Sequence, residues 1–234
     1  MISSQQLQTI NELGLASAPV AVAFMSAPPH DLPRIARPDP ASCSYWKEAS
    51  EGGAFYTTAE DHQNCPVGAF THGVRLSPAK SVELEALVDT MVELKYIGAS
   101  EMRQLPHRTA PFDVAAYAPL ALATFPADVV VFRGNVRQIM LLSEAARAAG
   151  VFEQGTVTGR PACSMLPVAA ERRASVASVG CIGNRVYTGL GDDEMYLTIP
   201  GERLDIVIDK LSTVLNANRA MESFHRERAQ QLGS

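Results

Sequence analysis

The sequence contains no apolar run long enough to cross a bilayer. Its longest such run, residues 19–25, has the length of a β-strand, whereas a membrane-spanning helix needs about 20 apolar residues. Residues 1–15 contain no lysine or arginine, so the charged start of a secretory signal peptide is missing. These absences predict a soluble protein that acts in the cytoplasm, without a membrane partner.

Basic residues are also few. Lysine and arginine total 20 against 25 aspartates and glutamates, which gives a net charge of −5. No basic stripe with interleaved aromatic residues occurs, so nucleic acid is not an expected partner. Hydrophobic residues make up 47 % of the 234-residue chain, which is enough for one sizeable core. We therefore predict a single domain that spans residues 1–234.

Cysteine is scarce, and the chain has only Cys43, Cys65, Cys163 and Cys181. None belongs to a Cys-x-x-Cys pair, the spacing that would indicate a zinc or ferredoxin-type site. Disulfides do not persist in a reducing compartment, so these cysteines favour metal ligands or a catalytic thiol. Unrelated structural cysteines are the alternative.

Apolar periodicity predicts both strands and helices. Strands are expected at residues 19–25, 113–117 and 128–132 and, as a hairpin, at 185–189 and 194–199. Helices are expected at residues 3–13, 77–98, 135–149 and 204–215, with Ser77 and Asn135 as N-caps of the second and third. The sum is an α/β or α+β fold, a single domain with a mixed β-sheet of about four to six strands flanked by helices. Residues 218–234 form a polar C-terminal helix or tail.

Two of the predicted helices have a clear apolar face, and both faces are expected to be buried against the sheet. The first face consists of Leu84, Leu87, Val88, Met91 and Leu94. The second consists of Leu204, Val207, Ile208, Leu211 and Leu215.

The four cysteines lie beside glycine or proline in predicted loops, and we expect these loops to converge on one site. Glycine and proline let a backbone turn sharply around a bound group. Four thiolates suit either zinc or a four-iron cluster. Structural zinc usually stabilises small domains that lack a core, so this chain favours an iron–sulfur cluster of the 4Fe-4S type.

Charged and titratable residues flank the cysteines. His62 and His72 lie on either side of Cys65, and His62 is a candidate for moving a proton. The alternative is that Asp61 and His62 cap the turn by bonding to its backbone.

Arg160 and Arg185 lie close in sequence to Cys163 and Cys181, where they could hold an anionic substrate or balance an anionic cluster. The alternative for Arg185 is a pair with the acidic residues 192–194 that holds the hairpin turn.

Several segments resemble the uncharacterised archaeal and bacterial family called ArCR. They are residues 19–22, 55–62, 117–120, 128–131, 178–185 and 192–195, together with the four cysteines. The resemblance implies that cysteines occupy all four positions across the family and serve one shared site, and it implies no reaction. Pro66 and Val67 depart from the family pattern, which affects only the turn after Cys65.

Three functions remain open from the sequence. The first is an iron–sulfur protein, an oxidoreductase or a lyase, that acts on a small anionic substrate or a redox partner protein; Arg185 and His62 would be its catalytic residues. The second is a binding module organised by zinc or a cluster, without catalysis. The third is an enzyme with a cysteine nucleophile and His62 as base.

Overall fold

One seven-stranded β-sheet forms the framework of the protein within the residues that the computed structural model describes, 2–158 and 161–231. The strands are β1 (Val20–Met25), β2 (Phe55–Thr58), β3 (Val114–Pro119), β4 (Val129–Asn135), β5 (Phe152–Thr158), β6 (Ser175–Ser178) and β7 (Glu194–Pro200). Their order is β2-β3-β1-β4-β7-β6-β5. The β5–β6 pair is parallel and the other pairs are antiparallel. The predicted mixed sheet is confirmed, with more strands than expected.

The strand order divides the sheet into two blocks. The first four strands of the chain are neighbours, and so are the last three. The two blocks join where β4 pairs with β7 over Val129–Asn135 and Glu194–Pro200. This pair is therefore a seam between the N-terminal and C-terminal halves of the chain.

Helices cover both faces of the sheet. They are α1 (Ser4–Asn11), α2 (Ser42–Ser50), α3 (Pro66–His72), α4 (Pro78–Glu93), α5 (Val136–Ala148), α6 (Met165–Arg172), α7 (Ile182–Thr188) and α8 (Leu204–Gln231). Predicted caps are confirmed at Ser77, which accepts the N–H of Lys80, and at Asn135, which accepts that of Gln138. Residues 218–231 continue α8, and residues 232–234 lie outside the described part of the chain.

Alternate residues of each strand point to opposite faces of the sheet, which gives two cores. On the first face, Ala21 and Phe132 pack with Ile139 of α5 and Leu211 of α8. Helix α8 packs against α5 and α1, and α5 packs against β4 and β7, so these three helices close this face. The predicted burial of all five apolar residues of α8 is confirmed.

On the second face, Val22 and Val131 pack with Trp46 of α2 and Leu166 of α6. Cys43 and Cys163 are members of this core, and Cys65 packs against it. The cysteines therefore lie on the face that α5 and α8 do not cover.

The predicted burial of the α4 face is wrong. Leu84, Val88 and Met91 are half-buried, and Leu87 and Leu94 are exposed. The reason is position: α4 packs on α3, at the margin of the second face, and none of its side chains is buried.

The predicted hairpin is wrong in its first half, because residues 182–188 form helix α7. Cys181 is the N-cap in extended backbone, and Gly189 ends the helix with φ of +63°. Thr188 Oγ1 donates to the carbonyl of Asn184 at 2.8 Å. The two buried polar residues thus lie four positions apart on one helix face.

The prediction that every cysteine lies in a loop is wrong for Cys43, which belongs to α2. Prolines lack the N–H that a helix needs, and residues 26–40, which contain five prolines, end at Pro40. The chain can therefore become helical at Ser42.

Among the described residues, no helix combines the length and the apolar character needed to cross a membrane.

Candidate functional site

Each cysteine lies at or next to the start of a helix. Cys43 is the second residue of α2, while Cys65 and Cys181 are the N-caps of α3 and α7. Cys163 lies in a single 3-10 turn, Ala162–Ser164, directly before α6. The first backbone N–H groups of a helix have no partner within the helix. Backbone N–H groups are therefore available near each cysteine, and Cys181 Sγ accepts one of them, from Asn184 at 3.5 Å.

All four cysteines line one cavity of about 840 Å³. None is disulfide-bonded. The helices that carry them come from both halves of the chain, and α2 contacts α7 while α3 contacts α6. The cavity thus lies where the two halves meet, on the second face of the sheet.

Burial controls the protonation of two of the thiols. It raises the pKa of Cys43 to about 12, and the neighbouring Cys65 and Cys181 add to this rise. Burial also raises the pKa of Cys163 well above its usual value, with smaller contributions in the same direction from Cys65, Cys43 and Cys181. Both raised pKa values keep Cys43 and Cys163 protonated at neutral pH.

Two hydrogen bonds reach sulfur in this site. Thr71 Oγ1 lies 3.1 Å from Cys163 Sγ, and the backbone N–H of Asn184 points to Cys181 Sγ at 3.5 Å. Gly68 leaves room for a third sulfur. A Cβ at Gly68 would lie 2.5 Å from Ser42 Oγ and 2.8 Å from Cys65 Sγ. Only glycine fits between these two side chains without a shift.

The side chain of Asn184 is buried in the cavity wall. It is 2 % exposed, and neither its amide nitrogen nor its oxygen meets hydrogen-bond geometry with another described residue. It nevertheless lies close enough to Cys43 to lower the pKa of that thiol against the effect of burial. Asn184 acts on Tyr196 in the same direction, so its amide lies beside Cys43 and Tyr196 without a hydrogen bond of good geometry to either.

His62 lies behind the cavity rather than in its lining. Its Nε2 is 2.9 Å from Thr57 Oγ1, and its Nδ1 is 3.0 Å from Ser42 Oγ. Thr57 donates its one proton to the carbonyl of Ala115, so we infer that His62 Nε2 donates to Thr57 and Nδ1 accepts from Ser42. Burial, with a smaller effect of His72, holds the pKa of His62 well below its usual value. His62 is neutral. Its ring reaches toward the site through Ser42, and its backbone carbonyl accepts the N–H of Cys65 at 3.1 Å.

His72 and Asp61 also have structural surroundings. His72 Nδ1 donates to the carbonyl of Gly68 at 2.6 Å, and burial lowers its pKa to about 4. Asp61 accepts the backbone N–H of Thr58 at 2.7 Å and pairs with Arg34 at 3.1 Å. Asp61 thus caps its turn, whereas His62 bonds to side chains.

The guanidinium of Arg185 bridges two loop segments. It donates to the carbonyls of Val179 and Gly191 at 2.7 and 2.9 Å, and it lies 3.4 Å from Asp192. Glu194 pairs with Arg133 instead. Arg185 does not line the cavity. Arg160 lies outside the described residues.

A second, apolar wall faces into the same cavity. It comprises Leu87, Met91, Leu94, Tyr96, Ile97 and Leu105 from the α4 region, with Ile182 and Tyr187 from α7. Lys95, in left-handed backbone with φ of +56°, reverses the chain after α4. The N–H of Tyr96 then bonds to the carbonyl of Met91 at 2.8 Å. This turn brings Tyr96 and Ile97 back to the cavity.

The thiols are not arranged around a single ion. Across residues 2–158 and 161–231, no group of three or more histidine, cysteine, aspartate or glutamate side chains has the geometry to hold a metal ion.

Sequence reasoning missed Ser42, Thr71 and Asn184. Ser42 and Asn184 are polar residues within three positions of Cys43 and Cys181, and this proximity was the available signal. Thr71 reaches Cys163 across 92 positions of sequence, so no local pattern could reveal it.

The fold and the cavity define a class: a mixed α/β protein with a cysteine-lined cavity where its two halves meet. The family model of the uncharacterised ArCR proteins matches residues 10–210, so the chain belongs to this family, as the resemblance predicted. It is also similar to the uncharacterized protein MJ0308 of Methanocaldococcus jannaschii. The two are 26 % identical over 162 residues, which cover 67 % of this chain and 69 % of the relative. No solved structure matches the chain.

Proposed function

We propose that this protein binds an iron–sulfur cluster of the four-iron type through Cys43, Cys65, Cys163 and Cys181. One observation carries the proposal: all four cysteines of the chain, from four separate elements, line one cavity. Unrelated structural cysteines would be dispersed through the core. Four thiolates are the usual ligand set of such a cluster.

The raised pKa values of two of the thiols, Cys43 and Cys163, support the role of metal ligand over that of nucleophile. The active form of a nucleophilic cysteine is the thiolate, and such cysteines have lowered pKa values. Here burial raises the pKa of Cys43 and of Cys163. A bound metal would displace these protons, because the ligand is the thiolate. The proposal rests on the shared cavity, and cluster binding would require the cysteine side chains to rotate toward a common centre.

The cluster would serve either electron transfer with a redox partner or, with one iron left open, Lewis-acid chemistry on a bound molecule. A cytoplasmic location would keep the four thiols reduced for cluster assembly. We do not assign substrate binding to Arg185, since its guanidinium is occupied by backbone carbonyls. The ring of His62 would influence the site through Ser42, and its carbonyl would help to position Cys65, whose N–H it accepts.

Anaerobic purification followed by reconstitution with iron and sulfide tests the proposal. We expect a brown protein with broad absorption near about 400 nm and about four irons and four sulfides per chain. Each single Cys→Ser variant should retain less iron. Ser44→Ala is the matched control: Ser44 is buried beside Cys43 in α2 but does not line the cavity. It should load like the unmodified protein.

Two results would overturn the proposal. One zinc ion per chain with no iron would identify a zinc site. A colourless protein that takes up no metal, with Cys→Ser variants of unchanged stability, would remove the metal altogether.

A further inference from the structure

The apolar wall that lines the cavity together with the cysteines is exposed. Leu87 and Leu94 are 40 % and 74 % exposed, and Ile182 of α7 is 63 % exposed. All three line the cavity. Large apolar side chains that share a concave surface typically contact a bound molecule.

The charges in the cavity do not suit an anion. Among the described residues that line it, the charged ones are Glu83, Lys95 and Glu101, and no arginine is present. Glu83 pairs with Lys80 at 2.5 Å. The lining therefore offers one lysine against two carboxylates, which is a poor match for the small anionic substrate predicted from the sequence.

Asn184 supplies the polar feature of this surface. A buried amide whose hydrogen bonds are incomplete is unfavourable, because it has lost its hydrogen bonds to water. Its nitrogen is a donor and its oxygen an acceptor, and neither meets hydrogen-bond geometry with a described residue. Both atoms are buried, so a molecule that presents an acceptor and a donor on one edge would satisfy them once the side chain turns toward the cavity.

From these observations we infer that the cavity binds an uncharged, largely apolar small molecule whose single polar edge pairs with Asn184. The polar edge lies beside Cys43, and the apolar body lies against Leu87 and Ile182. The cavity volume of about 840 Å³ is within the range of small-molecule sites. The inference rests on the proposed function for the identity of this cavity as the reactive site.

A matched pair of dyes tests the charge preference. Phenylnaphthylamine is uncharged, and anilinonaphthalene sulfonate has the same aromatic body with an added sulfonate. Fluorescence titration of the cluster-free protein, and calorimetry of the cluster-loaded protein, should show one site per chain. We expect the uncharged dye to bind about tenfold or more tightly than the sulfonate, because an anion would be buried without a partner.

Two charge insertions on the same helix locate the site. Leu87→Glu places a carboxylate in the apolar wall and should weaken binding of phenylnaphthylamine about tenfold or more. Val82→Glu is the matched control, since Val82 is 65 % exposed on α4 and does not line the cavity. It should change binding by less than about twofold. Both sites are exposed, so both variants are expected to fold.

A second pair of probes tests the polar edge. Naphthamide carries a donor and an acceptor, whereas methylnaphthalene carries neither. The protein should prefer naphthamide, and Asn184→Leu should abolish that preference while methylnaphthalene still binds.

Equal binding of the two dyes would overturn the inference, and so would equal effects of the two charge insertions. If the protein is a dimer in solution and both Leu87→Glu and Val82→Glu dissociate it, the inference is also overturned. The apolar wall would then belong to the interface with a second copy of the chain. The two proposals can fail separately. Dye binding with the expected pattern in a protein that never loads iron would leave this inference standing and reject the cluster.

Discussion

Helices α8 and α4 have similar apolar periodicity and opposite surroundings. All five apolar residues of the α8 face are buried, against α5, α1 and the first face of the sheet. The corresponding face of α4 has no buried residue and borders the cavity. The comparison teaches that periodicity identifies an apolar face but not what covers it. In α8 the protein covers the face, and in α4 we infer that a ligand does.

The same contrast holds for the two faces of the sheet. The first face is packed with aliphatic and aromatic side chains. The second carries the cysteines, and the buried rings of His62 and His72 contact its core residues Tyr45 and Phe24. Titratable groups that cost stability to bury are thus concentrated where the cavity lies. The three predictions below are ways to test this division.

The largest expected effect separates the two helices directly. Leu211→Ala in α8 should lower the free energy of unfolding by about 2–5 kcal/mol, because it leaves a cavity in a closed core. Leu87→Ala in α4 should change it by about 0.5 kcal/mol or less, because the side chain is exposed. Urea denaturation of both variants measures the difference. A loss at Leu87 as large as at Leu211 would mean that the α4 face is covered in solution.

The second effect is acid sensitivity of the cysteine face. The pKa of His72 is lowered from 6.5 to about 4 when folded, so between these values the unfolded chain binds the extra proton. The free energy of unfolding should therefore fall as pH falls, by about 1.4 kcal/mol per pH unit over this window. His62 acts in the same direction. Urea denaturation at several pH values gives the slope.

His72→Asn should reduce that slope, because asparagine can still donate to the carbonyl of Gly68 and does not titrate. His30→Asn is the control, since the side chain of His30 is fully exposed. The variants are compared by slope, so an overall loss of stability in His72→Asn does not confuse the result. An unchanged slope in His72→Asn would contradict the assignment.

The smallest effect compares two glycines of the site. Gly68→Ala forces its Cβ against Ser42 Oγ and Cys65 Sγ and should cost about 1–3 kcal/mol. Gly183→Ala meets only Tyr187 at 3.8 Å and should raise stability by about 0.5–1 kcal/mol, since alanine favours a helix. Thermal unfolding measures both. Gains of equal size would show that Ser42 and Cys65 are not held against Gly68.

Much of the framework could be predicted from the sequence, because local signals specify it. Apolar runs gave β1 and β4, and hydroxyl and amide caps gave the starts of α4 and α5. Strands β2, β5 and β6 were missed. β2 and β6 have only four residues each and little room for alternation, and β5 has polar residues and a glycine in place of an apolar run. Helix α7 was mistaken for a strand because no familiar cap residue announces it. Its ends are the extended backbone of Cys181 and the left-handed backbone of Gly189.

The site could be predicted only in part. Glycine and proline near the cysteines indicated sharp turns, and the four cysteines do share a cavity. The surroundings of Arg185 could not be read from sequence, because its partners are backbone carbonyls that any residue could supply. The exposed face of α4 was equally hidden, since burial depends on which elements the whole fold brings near.

The seam between β4 and β7 also has a consequence for biosynthesis. Strands β5 and β6 connect to the rest of the sheet only through β7, and β7 is the last strand to leave the ribosome. Cys43 and Cys65 therefore emerge long before the elements that bring Cys163 and Cys181 beside them. At about 5–20 residues per second, the nascent chain carries these two thiols without Cys163 and Cys181 for on the order of ten seconds. Insertion of the proposed cluster is thus expected to follow synthesis of the C-terminal half.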